Sequence, residues 1–226
     1  MADRTVLITG GTGGLGGAVT AAFRAAGWRT VVPVRNRPPH GGDAIYVTAD
    51  VSDPATVAAA VATAAGDPAA PLRAVVNLVG GFASGGLVHE TPIEDFERIL
   101  ALNLRPTYLV TQAALPHLVA AGGGAVVCVS SRAAVSPFPR AAGYVTAKAA
   151  VLAFASAVAV EYKARGVRCN TVLPSVIDTP TNRESRPDAD TSQWVPPAEI
   201  ATVIRFLASD ESAPTSGAAI PVYGRA

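Results

Sequence analysis

Two side chains in an alanine-rich segment have the types and the spacing of a proton-transfer pair. Tyr144 and Lys148 are four residues apart, so a helix places them on one face. A phenol with its ordinary pKa of about 10 is protonated at neutral pH, and a neighbouring ammonium group favours the phenolate and lowers that pKa. Such a phenol can act as a general acid or base. The alternative interpretation is a surface tyrosine and a solvated lysine on an amphipathic helix.

A hydroxyl group at the end of the preceding apolar run complements this pair. The residues from Ala125 to Val129 are all apolar and predict a strand, and Ser130 and Ser131 follow it. The Ser131 hydroxyl would donate a hydrogen bond to a substrate carbonyl oxygen as negative charge develops there.

The element that must position these groups begins near the start of the chain. The stretch Thr5–Gly17 reads TVLITGGTGGLGG and predicts a strand, a tight turn and a helix. Glycines let a ligand approach the backbone, and the amino end of the helix attracts a phosphate, so a dinucleotide is the expected ligand. Two spacings fit: Gly10, Gly14 and Gly16, or Gly10, Gly13 and Gly16. A turn needed only for packing remains the alternative.

The residues after the second predicted strand indicate which dinucleotide binds. Thr30–Val34 is followed by Arg35, Asn36 and Arg37, with no acidic residue. An acidic residue there would bind the ribose 2′-hydroxyl of NAD, whereas an arginine pairs with the 2′-phosphate of NADP. The sequence therefore favours NADP(H), unless both arginines are ordinary loop charges.

Predicted strands and helices alternate along the whole chain. The order predicts an α/β fold, a Rossmann-like doubly wound parallel sheet with helices on both faces, in a single domain over residues 1–226. A capping box from Thr91 to Glu94 predicts the start of a long helix. Pro174–Pro197 is expected to be an irregular loop. A ligand is expected at the carboxyl ends of the strands.

Composition excludes several classes of protein. Half of the 226 residues are hydrophobic, only 15% are charged, and the net charge is +1, which argues against disorder and against nucleic acid as a partner. Cys128 and Cys169 are expected to be buried free thiols, with no metal site. No signal peptide is evident, and the apolar helix Ala149–Val160 is too short to cross a bilayer. A cytoplasmic protein that binds no membrane is expected.

Taken together, these motifs resemble those of the single-domain short-chain dehydrogenases/reductases over nearly the whole chain. Thr9-Gly10-x-x-x-Gly14-x-Gly16 is similar to the family's cofactor motif, and Asp50-Val51 to its adenine-contacting pair. Asn103, Ser131, Tyr144 and Lys148 resemble its catalytic tetrad. The run through Leu173-Pro174 to Ile177-x-Thr179-Pro180 is similar to its nicotinamide-side segment.

The resemblance implies a role for each matching residue. Tyr144 would protonate the carbonyl oxygen while the cofactor delivers hydride, Ser131 would polarise that carbonyl, and Lys148 would bind the nicotinamide ribose. Asn103 would hold a water that connects Lys148 to solvent. Thr179 and the Ile177 backbone would hold the carboxamide. The cofactor-binding residues implied are Gly10, Thr12, Gly13, Gly14, Leu15, Gly16, Arg35, Asp50, Val51, Asn77, Gly80, Tyr144, Lys148, Pro174, Ile177 and Thr179.

Three stretches depart from the family pattern. The usual Asn-Asn-Ala-Gly is Asn77-Leu78-Val79-Gly80, and with Gly81 it resembles the quinonoid dihydropteridine reductases of the same superfamily. Ser175 replaces a glycine and is expected to crowd the nicotinamide. Tyr223-Gly224-Arg225 replaces Asp-Gly-Gly, which puts tetramer contacts there in doubt. The short loop after Thr179 predicts an open site.

Substrate contacts are expected from residues on nearby loops, although each is more often a loop anchor. An aromatic pair would stack on a planar ring, and Arg132 would attract an anionic group; the aromatic candidates are Phe82, Phe138 and Trp194. The preferred function is an NADP(H)-dependent reduction of a carbonyl, or oxidation of a secondary alcohol, in a small molecule. The alternatives are a pteridine or quinonoid reductase and a non-catalytic dinucleotide sensor. The resemblance also implies a homodimer or homotetramer.

Overall fold

All strands of the computed structural model, which describes residues 2–36 and 44–225, lie in one parallel sheet. Its seven strands have the order β3-β2-β1-β4-β5-β6-β7. The strands are β1 (Thr5–Thr9), β2 (Arg29–Val34), β3 (Ile45–Thr48), β4 (Leu72–Asn77), β5 (Gly124–Val129), β6 (Val167–Pro174) and β7 (Ala219–Val222). The helices are α1 (Gly14–Ala25), α2 (Pro54–Ala65), α3 (Ile93–Ala120), α4 (Ala142–Glu161), α5 (Pro180–Ser185) and α6 (Pro197–Ala208).

Helices cover both faces of this sheet, and each face has its own apolar core. The face under α2, α3 and α4 buries side chains such as Leu7, Leu72 and Leu118. The face under α1 and α6 buries Phe23, Ile200 and Ile204 among others. Central strands are apolar on both sides because both sides are covered. The Rossmann-like α/β fold expected from the sequence is confirmed.

The strand order places a crevice at the middle of the sheet. From β1 the chain first builds outward through β2 to β3, and then returns so that β4 pairs with the other side of β1. The connections that follow β1 and β4 therefore leave the sheet in opposite directions, which opens a ligand crevice at their carboxyl ends. The glycine turn lies at this point.

Two local expectations differ from the structure. The long helix α3 begins at Ile93 after Pro92 and has no side-chain cap, so the capping box from Thr91 to Glu94 is wrong. The Thr91 hydroxyl instead donates to the Leu87 carbonyl oxygen at 2.9 Å. The segment expected to be an irregular loop contains α5 and a 3₁₀ turn at Thr191–Gln193. Thr179 caps α5 and Pro180 begins it, a start signal that the sequence analysis did not use.

The length argument about the apolar helix is also wrong. Helix α4 has 20 residues and a mean hydropathy of 1.6, so length and composition alone would let it cross a membrane. In the fold it lies beside α3 on one face of the sheet, with Val151, Ala155 and Val158 buried in the core. A core helix passes the same test, so this helix is weak support for a membrane span. Cys128 and Cys169 are buried free thiols, as expected.

Candidate functional site

The glycine turn after β1 is shaped by contacts that leave no room for side chains. Gly10 has φ of +67°, which favours glycine, and its carbonyl oxygen accepts from the Gly13 amide at 3.0 Å. A Cβ atom on Gly16 would overlap the Gly10 carbonyl oxygen. The Gly11 carbonyl oxygen accepts from the Thr20 hydroxyl at 3.0 Å, which fixes the turn on α1. Contacts within the protein therefore define the shape of the turn.

The amino end of α1 presents backbone N–H groups without a side-chain cap. Gly13 is the N-cap residue, and the first turn contains no acidic residue. A Cβ atom on Gly14 would lie 2.7 Å from Thr179 Cγ2, so Gly14 lets the segment after β6 approach the helix end. Thr12 is exposed, whereas Leu15 packs on the core beneath α1. Uncapped amides and a Cβ-free approach suit a pyrophosphate.

Tyr144 lies in the first turn of α4 and contacts the hydroxyl group of Ser131. Burial raises the pKa of the Tyr144 phenol, and the Ser131 hydrogen bond lowers it by a smaller amount. The Ser131 oxygen accepts from the Ala133 amide at 3.2 Å, which leaves its proton available for Tyr144. The expectation that Lys148 lowers this pKa is wrong for the chain without ligand, because burial is the larger effect.

Lys148 is a buried ammonium group with few partners. Its side chain is 7% exposed, and Nζ donates to the Val129 carbonyl oxygen at 3.1 Å. Nζ also lies 5.9 Å from the centre of the Tyr144 ring. No carboxylate forms an ion pair with it in the described part of the chain. Burial therefore lowers the pKa of Lys148 to about 8, although the Cys128 thiol nearby raises it slightly.

Asn103 holds the loop after β4 against this lysine. Asn103 Nδ2 donates to the carbonyl oxygens of Gly81 and Ile99, and Oδ1 accepts from the Gly81 amide at 3.2 Å. A Cβ atom on Gly80 would lie 2.6 Å from Asn103 Oδ1 and 3.2 Å from Lys148 Nζ. A Cβ atom on Gly81 would lie 2.6 Å from Leu102 Cδ2. A Cβ atom on Gly80 would displace Asn103, which three hydrogen bonds hold in place, whereas the exposed Leu102 side chain can move away from a Cβ atom on Gly81. The carboxyl edge brings Asn103, Ser131, Tyr144 and Lys148 together.

The residues expected at the adenosine end lie along the edge on the other side of β1. Asp50 follows β3, and hydrogen bonds from the Ser52 hydroxyl and amide, then the nearby Arg35, hold the pKa of its carboxyl below the usual value. Val51 is buried and Arg35 is exposed. Arg37 lies outside the described residues. Asn77 is buried at the end of β4, with Nδ2 donating to Thr111 and Oδ1 unpaired.

The segment after β6 continues the edge toward α1. Pro174 ends the strand, and the Thr179 hydroxyl oxygen accepts from the Asn182 amide at 3.3 Å. Asn182 Nδ2 also donates to the Ile177 carbonyl oxygen at 2.8 Å. These bonds fix the backbone of Ile177 and place Thr179 beside Gly14. That the two residues hold the carboxamide stays a prediction.

Of the three aromatic candidates, Phe82 lies against Tyr144 and Phe138 lies against Phe82. Phe82 is edge-on to the Tyr144 ring at a centroid distance of 5.0 Å, and Phe138 lies 6.2 Å from Phe82. Both rings are about half exposed, so they form an accessible apolar wall. Trp194 instead lies on the segment where Val195 pairs with Ile177, apart from this ring cluster.

Ser175 and Tyr223, two residues at which the sequence departs from the family pattern, are in contact. The Ser175 hydroxyl donates to the Tyr223 carbonyl oxygen at 2.9 Å, so this side chain is turned toward β7. Arg132 lies with its guanidinium carbon 5.0 Å above the centre of the Tyr223 ring.

The sequence analysis missed two further residues that shape the site. Thr9 Oγ1 accepts from the Leu78 amide at 3.2 Å and joins β1 to the loop after β4. Arg140 has φ of +64°, and its carbonyl oxygen accepts from the Gly85 amide at 2.9 Å, which joins the loops that carry Phe82 and Phe138. Thr9 was within the recognised motif, but no residue type signals a left-handed arginine.

Known proteins resemble this chain over its full length. The model of the short chain dehydrogenase family matches residues 4–190. The 2-(R)-hydroxypropyl-CoM dehydrogenase of Xanthobacter autotrophicus is 32% identical and is aligned over 98% of each chain. The 3-oxoacyl-[acyl-carrier-protein] reductase MabA of Mycobacterium tuberculosis is also 32% identical, over 98% of this chain and 92% of its own.

Solved structures agree with these relatives. A short-chain type dehydrogenase/reductase from Mycobacterium ulcerans has a TM-score of 0.91 and 28% identity, over 100% of this chain and 90% of its own. The structure of ElxO with NADP bound has a TM-score of 0.90 and 27% identity, over 98% of each chain. The chain therefore belongs to the short-chain dehydrogenases, a family of oxidoreductases that use nicotinamide cofactors.

Proposed function

We propose that this chain is an NADP(H)-dependent carbonyl reductase or secondary-alcohol dehydrogenase for small molecules. One observation carries the proposal: the Tyr144 phenol contacts the Ser131 hydroxyl, and the buried Lys148 ammonium lies 5.9 Å from the centre of the Tyr144 ring. A phenol near a hydroxyl donor and an unpaired cation can exchange a proton with a carbonyl or alcohol oxygen.

Each side chain has one task in this reaction. When bound, the nicotinamide cofactor exchanges hydride with the substrate carbon. Ser131 orients the substrate oxygen, and Tyr144 donates a proton to it during reduction. The raised pKa of Tyr144 keeps the phenol protonated at neutral pH, which suits this direction. Lys148 stabilises negative charge on the phenol oxygen after the proton leaves, and Asn103 keeps Gly80 and Gly81 in place beside Lys148.

The first experiment measures oxidation of NADPH and NADH with a panel of ketones, quinones and pterins. Tyr144→Phe is expected to reduce kcat on the order of 10³-fold while NADPH still binds, because the general acid is lost. Tyr108→Phe is the matched control, since Tyr108 lies on the outer face of α3. Equal rates in wild type and Tyr144→Phe would remove Tyr144 as the acid.

The preference for NADP(H) rests on Arg35, which follows β2 and is exposed, and on the sequence Arg35-Asn36-Arg37, which contains no acidic residue. Arg35→Glu is expected to raise KM for NADPH about tenfold or more and to leave KM for NADH similar or lower, because an arginine–phosphate pair is replaced by repulsion. Arg165→Glu makes the same charge change after α4 and serves as the control. A wild type that prefers NADH would contradict this part of the proposal.

The two other functions have less support. Packing against Asn103 accounts for Gly80, so this glycine is no specific sign of a pteridine or quinonoid reductase. Turnover of a quinonoid pterin with no turnover of ketones would restore that function. A non-catalytic sensor would bind NADPH without turning over any member of the panel, although this chain keeps the complete set of four site residues.

We also infer that the chain forms a homodimer, or a homotetramer, in the cytoplasm. The outer faces of α3 and α4 expose Leu102, Tyr108 and Val160, and the Tyr108 and Phe154 rings pack together there. Two buried free thiols fit a reducing compartment. Sedimentation at micromolar concentration tests the assembly, and a monomer would contradict it.

A further inference from the structure

We propose that Tyr223 is a positioning residue for the catalytic turn, holding Ser131 in place through Arg132. The inference rests on the proposed role of Ser131. It concerns a position at which the chain departs from its family, since tyrosine stands where an aspartate is usual.

The contact between Tyr223 and Arg132 is the first step. The Arg132 guanidinium carbon lies 5.0 Å from the ring centroid, within the range of a cation–π interaction. Arg132 is half-buried, and no carboxylate forms an ion pair with it within residues 2–36 and 44–225. The ring face is therefore its main fixed partner.

Tyr223 is itself held at three neighbouring points. Its carbonyl oxygen accepts from the Ser175 hydroxyl, and the Ser175 amide donates to Val222 at 3.2 Å. Gly224 follows with φ of +64°, and a Cβ atom there would lie 3.1 Å from Val195 Cγ2. The backbone that carries the ring is thus anchored to β6 and packed against the segment after α5.

The backbone is held on both sides of Ser131, by hydrogen bonds of Ser130 before it and by a short helical turn after it. On the amino side, the Ser130 hydroxyl donates to the Lys148 carbonyl oxygen at 2.7 Å and its amide donates to Val172. On the carboxyl side the chain enters the one-turn 3₁₀ helix Arg132–Ala134, where the Ala133 amide donates to Ser131 Oγ. Arg132 is the first residue of that turn. Fixing its side chain on Tyr223 therefore limits movement of the hydroxyl that touches Tyr144.

A different role for Arg132, binding an anionic group of the substrate, makes a different prediction. A positioning residue affects kcat for neutral and anionic substrates alike, because Ser131 acts on every carbonyl. An anion-binding residue affects KM for anionic substrates alone. The Arg132 guanidinium already lies over the Tyr223 ring, and this contact favours the positioning role.

The test compares Tyr223→Leu, Arg132→Met and the double variant in the full chain. Hydrogen exchange of the Ala133 and Ala134 amides is expected to be on the order of tenfold faster in each single variant, with no further increase in the double variant. With NADPH, kcat is expected to fall on the order of tenfold for both ethyl acetoacetate and acetoacetate, with KM for NADPH unchanged. Tyr223→Phe keeps the ring and is expected to rescue both measurements.

Unchanged exchange, or additive effects in the double variant, would overturn the proposal. So would a loss confined to KM for acetoacetate, or no rescue by Tyr223→Phe. Failure of the proposed function is recognised separately: wild type would then turn over neither ketone, and the exchange measurements would still decide whether Tyr223 holds the turn.

Discussion

The two edges of the parallel sheet use their cationic side chains in opposite ways. At the amino edge, three arginines donate to carbonyl oxygens at helix carboxyl ends: Arg29 to the end of α2, Arg73 to the end of α3 and Arg168 to the end of α6. At the carboxyl edge, Lys148 donates to one carbonyl oxygen and otherwise lies beside Tyr144. The arginines at the amino edge thus spend their donors on backbone carbonyl oxygens, whereas Lys148 uses a single one.

Helix direction explains the difference. In this fold the helices run antiparallel to the strands, so their carboxyl ends and unpaired carbonyl groups collect at the amino edge. A guanidinium group carries five donors and can satisfy several carbonyls at once, as Arg168 does with Leu207, Ser209 and Thr215. At the carboxyl edge the helix amino ends offer N–H groups, which suit an anionic ligand and need no cation.

The comparison separates cations whose donors are used by helix ends from a lysine whose donors are largely unused. A cavity of about 450 Å³ lies at the amino edge and is lined by Arg4, Arg73, Lys163 and Arg168. Despite these charges, Arg73 and Arg168 already donate to carbonyl groups, and Arg4 pairs with Asp3 and Asp210. Lys148 keeps unused donors next to a titratable phenol. The candidate site is therefore distinguished from the amino-edge cavity by a buried cation with unused hydrogen-bond donors, and not by charge alone.

Lys148→Met gives the largest expected effect and tests this distinction directly. The substitution removes the buried charge while keeping most of the volume, so kcat is expected to fall on the order of 10²–10⁴-fold. The free energy of unfolding is expected to change by less than about 1 kcal/mol, because the lost hydrogen bond and the relieved desolvation oppose each other. Steady-state kinetics and urea unfolding of the same samples provide both values. Retained activity with lost stability would make Lys148 structural.

Arg168→Met is the reciprocal experiment at the amino edge. Arg168 donates three hydrogen bonds to carbonyl oxygens and one to the Ser212 hydroxyl, and the substitution removes all four. The free energy of unfolding is expected to fall by about 3 kcal/mol, which corresponds to roughly 6–12 °C in Tm for a chain of this size. Below the transition, kcat is expected to stay within about twofold of wild type.

Arg98→Met is the matched control, because Arg98 is exposed and pairs only with Asp95. It is expected to change the free energy of unfolding by about 0.5 kcal/mol or less. A loss of activity in Arg168→Met at a temperature where the protein is folded would contradict the view that cations at the amino edge affect stability alone.

The carboxyl edge was more predictable from sequence than the amino edge. Gly10, Gly14 and Gly16 stand in a fixed local pattern, and the i, i+4 spacing of Tyr144 and Lys148 needs only a helix to bring them together. The bonds of Arg168 join residues 39 to 47 positions away in the sequence, and no local pattern encodes such pairs. Residues brought together by a local pattern could be predicted from the sequence. The hydrogen bonds by which distant arginines pair with the carbonyl groups of helix ends could not.

Errors at the carboxyl edge have the same origin. The pKa of Tyr144 was expected to fall because only its neighbour Lys148 is visible in sequence, whereas burial, which depends on the whole fold, raises it. Ser175 was expected to crowd the cofactor, but its hydroxyl donates to Tyr223, a residue 48 positions away. The role of an individual residue could be predicted where its partners are local.

The pH dependence of stability gives the smallest effect and sharpens the comparison further. Burial lowers the pKa of Lys148 to about 8, below its ordinary value of about 10.4 in an unfolded chain. Between these two values the unfolded chain binds more protons, so this lysine makes the free energy of unfolding rise with pH. Below pH 8 both states are protonated, and the full destabilisation is present. The wild type is therefore expected to gain on the order of 2 kcal/mol relative to Lys148→Met between pH 7.5 and 10.

Arg168 is expected to show no such pH dependence of the free energy of unfolding. Burial lowers the pKa of its guanidinium, but arginine remains charged throughout this range. The difference in the free energy of unfolding between wild type and Arg168→Met is therefore expected to be constant from pH 7.5 to 10. Urea unfolding of all three proteins at intervals across this range tests both statements. Parallel curves for wild type and Lys148→Met would mean that the ammonium is solvated in the folded state, and Lys148 would then resemble the satisfied cations of the amino edge.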